Sequence, residues 1–360
     1  MAGTMTWAAM DVHARSTYAA SLDVPTGVVT RRRFDTGAVE PVVEWLVGLP
    51  APVRCCYEAG PTGFGLYRAA VAAGVDCQVI APSKTPRPSG DRNKSDRRDT
   101  DLLLRQLMAG ALTPIAVPSV SFEAARDLAR AREQIRVDLV RCRHRLSKLL
   151  LRHGRVYDRT AWTVAHRQWL AAQSFAQPNT ELAFIDNLAA CDGLLARKQA
   201  LDERLSHVAR DLEFWPLVSR FRCFRGLDTL SALIVVLEVA DFTRFARAVQ
   251  LGSWLGLVPS REQSGEQDRH GQITKTGSKY ARRILVEAAW HYTRPPRIGT
   301  KLAERHGGQP DHILQIAWRA QHRLHRIHKR MRERRKPANV ANVACARELA
   351  CFLWAAATAA

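Results

Sequence analysis

Residues 53–80, VRCCYEAGPTGFGLYRAAVAAGVDCQVI, decide the class of fold. Val53–Tyr57 is a short apolar run that ends at the acid Glu58, a Gly60-Pro61 turn follows, Thr62–Ala73 reads as a helix, and Asp76–Ile80 is a second short apolar run. Alternation of buried strands with helices is the pattern of an α/β domain. Toward the N-terminus the pattern continues. Met5–Met10 reads as a strand ended by Asp11, Thr17–Leu22 and Val28–Phe34 follow around the turn Pro25-Thr26-Gly27 as in a β-meander, and Ala38–Val47 reads as a helix. Two acids therefore stand at strand ends. In open α/β sheets the strand termini line the ligand crevice, so Asp11 and Glu58 converge there if their strands are neighbours; each alone also fits an ordinary cap or loop carboxylate.

Toward the C-terminus, Ala81–Arg98 (APSKTPRPSGDRNKSDRR) is too rich in Pro, Ser, Arg and Lys to be core and reads as a basic loop. It runs into a helix, DTDLLLRQL (99–107), with Asp96 and Asp99 three residues apart and able to project from one face near its start. Two like charges there repel unless a cation intervenes. Lys94, Arg97 and Arg98 could supply it as salt bridges, and a divalent ion could supply it between oxygen ligands. With Asp11 and Glu58 the set becomes four carboxylates in the order Asp, Glu, Asp, Asp. Such a cluster suits two-metal phosphoryl chemistry, in which the ions clamp the attacking and leaving oxygens.

The whole chain points to a polyanion. Its 360 residues carry 54 Lys and Arg against 34 acids, a net charge of +20 with pI near 10.3, and nucleic acid is the default partner for that balance. Eight cysteines form no C-x-x-C pair and read as reduced core thiols of a cytosolic protein, so no structural zinc is expected. The apolar tail Ala341–Ala360 is interrupted by Arg347 and Glu348, which argues against a membrane span.

Beyond residue 116 the pattern turns helical. Ser121–His153 lacks Gly and Pro, repeats Leu128, Ile135, Cys142 and Leu149 every seven residues with Leu139 and Leu146 as a second seam, and carries arginines outside. Thr180–Trp215 reads as a second long helix with Leu182, Ile185, Leu188, Leu194, Leu195, Leu201, Leu205 and Val208 inward. The pair fits an antiparallel hairpin or a dimer coiled coil, since both need the same seams. Three regions follow: 1–116, 117–215 and 216–360.

In the last region, Phe224–Asp228 is a tight turn before a buried helix, Leu230–Val239, and resembles a helix-hairpin-helix turn except that Asp228 stands where a second glycine is expected. Leu251–Val258 stops at Pro259, and the polar stretch through Gly271 places Ser264 in a loop at the edge of a packed core. A helix then begins near Ser278. Lys275, Lys279, Arg282 and Arg283 crowd its start, where cations oppose the helix dipole unless an anion is bound. Ser264 beside glycine and these cations fits attack on a phosphodiester, and it fits a surface Ser-Gly turn as well. His312–Arg335 is an amphipathic helix with Ala317, Ala320, Leu324, Ile327 and Met331 inward and a basic outer face that includes Arg330.

Met10-Asp11, Glu58-Ala59-Gly60-Pro61-Thr62-Gly63, Asn93-Lys94-Ser95-Asp96-Arg97-Arg98-Asp99, Leu255-Gly256-Leu257-Val258-Pro259, Ser264-Gly265 and Gly271-x-Ile273-Thr274-Lys275-x-Gly277 occur in that order. Together they closely resemble the insertion-sequence one-hundred-ten family of DEDD transposases. The resemblance implies a RuvC-like, RNase H-type N-terminal domain, a coiled-coil insertion and a mainly helical C-terminal transposase domain. It further implies Asp11, Glu58, Asp96 and Asp99 as ligands of Mg²⁺ or Mn²⁺, and Ser264 as nucleophile. Family members recombine double-stranded donor and target DNA, at least some directed by a structured bridge RNA. Exchange between two duplexes needs several active sites, so a homodimer pairing into a tetramer is expected, in a bacterial cytoplasm at the nucleoid. Asp101, two residues after Asp99, competes with it as a ligand. A metal-only nuclease and a catalytically silent nucleic-acid-binding protein are the alternatives.

Overall fold

The alternation of side chains along a strand lets one short segment serve two helical layers, and the N-terminal sheet is built on that property. The computed structural model of the chain describes residues 5–86, 95–264 and 267–359. Strands β1 (Thr6–Val12), β2 (Thr17–Asp23) and β3 (Val29–Phe34) form the antiparallel meander; helix α1 (Glu40–Val47) follows, then β4 (Val53–Glu58), α2 (Gly65–Ala72) and β5 (Asp76–Ile80). The sheet order is β3-β2-β1-β4-β5, with β4 parallel to β1 and β5 parallel to β4. This mixed five-stranded arrangement is consistent with an RNase H-like domain. Ala8 and Met10 pack on one face against Val42, Leu46, Leu66 and Ala70 of α1 and α2. Ala9 faces the other way, with Ala20, Cys56 and Ile80, against Leu103, Leu104 and Leu107 of α3 (Asp96–Met108). Helix α2 begins three residues later than the composition predicts, because Gly63 takes a left-handed conformation (φ 71°) at the end of the Gly-Pro turn.

The chain divides into two compact units, residues 1–117 and 118–360. The second contains α4 (Val120–Arg152), α5 (Val164–Ala171), α6 (Pro178–Val208), α7 (Trp215–Phe221), α8 (Thr229–Val239) and α9 (Ala248–Trp254). After them come strands β6 (Pro259–Ser264) and β7 (Gln267–Ile273), then α10 (Lys279–Ala289), α11 (Thr300–His306), α12 (Asp311–Glu333) and α13 (Ala338–Thr358). Helices α4 and α6 pack antiparallel within the chain: Arg132 Nε reaches Asp202 Oδ1 at 2.6 Å, and Cys142 Sγ meets Cys191 Sγ at 2.9 Å. They form a hairpin with its own core of Leu139, Cys142, Leu146, Leu150, Phe184 and Cys191, while Ala125, Ala129 and Leu205 join the larger core around α8.

The seam expected on α6 is displaced at its N-terminal end. Leu205 is buried and Leu188, Leu194 and Leu195 pack against the hairpin core as expected, but Leu182 and Ile185 are exposed, and Phe184 and Cys191 are buried in their place. The heptad that faces α4 runs through 184, 191 and 205, with Lys198 and Asp202 inside it, so polar residues broke the apolar signal. The helix also ends at Val208 rather than Trp215; Ala209 caps it, and a new helix starts before Pro216. Helix α13 is long and apolar enough to cross a membrane by length and composition. Ala341, Cys345, Leu349 and Leu353 are nevertheless fully buried in the core, and Arg347 is exposed, which marks α13 as a core helix. Seven of the eight thiols are buried.

Candidate active site

Parallel neighbours end at the same edge of a sheet. The β1–β4 register pairs Met10 with Tyr57, so the next residues, Asp11 and Glu58, lie side by side at the C-terminal ends of the two strands. Helix α3 reaches the same edge. Ser95 caps it by accepting a hydrogen bond from the Arg98 N–H (3.3 Å), which fixes Asp96 and Asp99 in its first turn. Its other face is anchored to the sheet by the leucines named above.

Asp11, Glu58 and Asp99 line one cavity of about 200 Å³, together with His13, Thr85 and Gln106. Asp96 is outside that lining but close to it: His13 Nε2 is 3.3 Å from Asp11 Oδ2 and 3.8 Å from Asp96 Oδ1. Ligand atoms of Asp11, His13 and Asp96 all lie within 4.8 Å of one another. Burial pushes the Asp11 carboxyl above its ordinary value; His13 pulls it down, and Asp96, Asp99 and Glu58 push it up again. The mutual repulsion of the acids is thus expressed at Asp11, and a cation would relieve it. Carboxylate oxygens with one imidazole are a donor set that fits Mg²⁺ or Mn²⁺.

Asp101 does not join this group. Two residues along a helix turn it by about 200°, and its carboxylate takes a bidentate pair from Arg31 of β3 (3.0 and 3.1 Å). Asp99 and Asp101, two residues apart in sequence, therefore face different partners. His13 was missing from the expected set. Its signal was the spacing Asp11-x-His13, which puts both side chains on one face at a strand end. Asn93 and Lys94 lie outside the described residues.

Ser264 is not in a loop. It ends β6, paired antiparallel with β7 through Ser264–Gln267, with an irregularity between Pro259 and Arg261. Both strands are polar, so neither shows the apolar alternation that signals a strand; a backbone ladder joins them. Gly265 and Glu266, which connect the strands, lie outside the described residues. The base of the hairpin is fixed by hydrogen bonds from Thr274 N to Val258 O (2.9 Å) and Lys275 N to Gly256 O (3.1 Å). Gly256 and Gly277 take left-handed conformations (φ 66° and 67°) in close contact with backbone, Gly256 against Thr276 and Gly277 against the Trp254 carbonyl. No side chain fits at either position.

Ser278 caps α10 by accepting from Ala281 N–H, and its hydroxyl donates to buried Glu238 (2.8 Å), which also holds Arg130. The cations at this helix start divide into two sets. Arg282 donates to the carbonyls of Leu255 (2.8 Å) and Thr276 (2.7 Å). Arg283 grips Glu133 through two bonds (3.1 and 2.7 Å) and reaches Glu287 (2.7 Å). Burial pushes Glu133 up, but Arg136 and Arg283 outweigh it and hold the carboxyl below its ordinary value. Lys275 is exposed, with φ 55°; Lys279 lies over the Tyr280 ring at 5.2 Å; Arg330 is exposed on α12. At the Gly226 turn, Asp228 caps α8 through Ser231 N–H (2.8 Å), so a carboxylate already takes the place a phosphate would occupy.

Known proteins are similar to both parts. A model described as the Transposase IS116/IS110/IS902 family matches residues 218–302, and a model described as Transposase, of the IS110 DEDD type, matches residues 8–154. The chain is 40% identical over 310 residues to transposase y4qE of Sinorhizobium fredii, across 85% of this chain and 75% of that one. It is 34% identical over 278 residues to the transposase for insertion sequence element IS1533 of Leptospira borgpetersenii, across 76% and 80%. A transposase for insertion sequence element IS1111A of Coxiella burnetii is 26% identical over 227 residues.

Proposed function

Because the chain belongs to the IS110 family of DEDD transposases, an enzyme class acting on DNA, we propose that it cuts and rejoins double-stranded DNA through a covalent bond to Ser264. The observation that carries the metal half of this reading is the convergence of Asp11, His13, Glu58 and Asp99 on one cavity, with Asp96 near Asp11 and His13. These residues would hold Mg²⁺ or Mn²⁺, which supplies Lewis-acid stabilisation of charge at the scissile phosphate.

In the proposed reaction the Ser264 hydroxyl attacks phosphorus. The Oγ–P bond forms, the bond to the 3′-oxygen breaks, and the proton lost by serine ends on the departing 3′-hydroxyl. A 3′-hydroxyl from the second duplex then attacks the phosphoserine ester, and serine leaves with its hydroxyl restored. Bond energy is conserved, so no nucleotide cofactor is needed. Lys275, Lys279 and Arg330 have exposed or ring-stacked side chains and are assigned to phosphate. Arg282 and Arg283 act one step back, holding the turn and α10 that carry Lys275 and Lys279.

The polar character of β6 and β7 agrees with a hairpin that works against nucleic acid rather than core. A guide RNA of the bridge type as partner, and a dimer pairing into a tetramer on DNA, rest on the family resemblance and on the +20 charge. The test is a covalent adduct trapped on a nicked duplex. An adduct lost in Ser264→Ala supports the serine reading; full cutting by that variant shows a metal-only nuclease instead.

A further inference from the structure

A groove of about 820 Å³ runs between α12, α13 and the base of the Ser264 hairpin; of its lining, the proposed serine chemistry uses Arg330 alone, and the metal site uses none of it. One stripe of α12 builds its long wall. Arg323, Ile327, Arg330, Met331 and Arg334 recur at helical spacing, so cations and apolar side chains alternate along a single face. Val343 of α13 and Ile273 of β7 complete an apolar floor, and exposed Arg347 adds a cation from the opposite wall. Glu348 is the carboxylate in the lining, and Arg323 is hydrogen bonded to it. Among the described residues no carboxylate pairs with Arg330, Arg334 or Arg347.

We infer that this groove binds an unpaired DNA strand, the one that leads to Ser264. Three unpaired guanidinium groups around the groove require a polyanion, and a second copy of this chain, at +20, is the wrong sign. An apolar floor is wasted on a duplex, whose bases are stacked inside and whose phosphates face out. A single strand presents both chemistries, with phosphates for the arginines and base faces for the carbon floor and guanidinium planes. The lining holds few uncharged polar side chains, Gln272 and Asn339 among them, so ribose 2′-hydroxyls would be buried against carbon, whereas deoxyribose would not. Position supplies the direction. Pro259 and Ile273, a register pair at the hairpin base, line the groove, and Ser264 lies five residues farther along β6, about 17 Å at the usual strand rise. This last step rests on the serine reading above.

The test uses full-length protein and a 20-nucleotide thymidine oligomer carrying photoreactive 5-iododeoxyuridine, with thermal melts to verify folding. Crosslinks are expected on α12, α13 or β7 within the groove. Arg330→Gln with Arg334→Gln should reduce the slope of log affinity against log salt by about 1.4, two single-strand phosphate contacts, with a smaller effect on a duplex of equal length. Crosslinks mapping elsewhere overturn the inference. So does an equal loss for single strand and duplex, or a uridine oligomer that binds the groove as tightly. Binding is read without cleavage. A missing groove crosslink with an intact serine adduct therefore sinks this inference alone, and a missing adduct with an intact crosslink sinks the serine reading alone.

Discussion

His13 Nε2 stands 3.3 Å from Asp11 Oδ2 at the end of the central strand, on the same side as Asp96. An imidazole set among repelling carboxylates has two uses. It can add a ligand to a bound ion, or orient the acids around one.

Metal binding should follow this arrangement. Titration calorimetry with Mn²⁺ is expected to show binding that Asp11→Asn or Glu58→Gln abolishes, and that His13→Ala weakens about tenfold, the usual size of a supporting-residue effect. Unchanged affinity in Asp11→Asn would overturn the site.

Asp99 and Asp101 give a sharper comparison. Asp99→Asn should remove metal-dependent cutting, whereas Asp101→Asn should keep Mn²⁺ affinity within about twofold, since it releases only the exposed pair with Arg31, worth at most about 1 kcal/mol. Equal losses in both variants would mean that the helix face is misassigned.

In chelator, Asp11→Asn should raise the melting temperature by about 1–3 °C. The folded Asp11 carboxyl lies above its ordinary value of 3.8. Its protonated form is favoured by folding, so its contribution is fully present below that value and is lost as pH rises through the folded pKa. At neutral pH the charge burdens the fold, and Asn removes it. A drop in melting temperature would contradict the repulsion.

Glu133 has the opposite sign. Its folded pKa lies below the ordinary 4.5, so the stability it gives is present above that value and is lost as pH falls through the folded pKa. Arg283→Met should cost about 1.5 kcal/mol at pH 7, since the buried carboxylate loses two charged hydrogen bonds but keeps Arg136. Lys279→Ala should change stability by less than about 0.5 kcal/mol. Denaturant melts of both variants at pH 7 and pH 4 test the pair; the Arg283 effect should shrink at the lower pH.

Gly277→Ala should destabilise the second unit strongly, by about 3 kcal/mol or more, because a Cβ collides with the Trp254 carbonyl at a left-handed backbone. Gly299→Ala, with open space around it at the N-cap of α11, is the control and should cost less than about 1 kcal/mol.

The sequence by itself determined the N-terminal strands, the helix bearing Asp96 and Asp99, and the candidate acids, because apolar runs, turns and caps are local signals. Local pattern also gave the long α4 seam, where Ile135, Leu139, Cys142 and Leu146 are buried as the heptads require. Pattern failed where polar residues entered the structure. The Lys198–Asp202 pair inside the α6 seam hid its register, and the two polar strands around Ser264 looked like loop.

Tertiary structure alone decided which charges are spent and which are free. Arg282, Arg283 and Lys279 look alike in sequence, yet Arg283 is drawn to Glu133, 150 residues away, and Arg282 to backbone carbonyls. It also placed Asp99 in the acidic cavity and Asp101 on Arg31, two positions separated by a rotation about the helix and not by composition. Whether a charge faces a ligand or an internal partner depends on residues distant in the chain, and no local pattern encodes that.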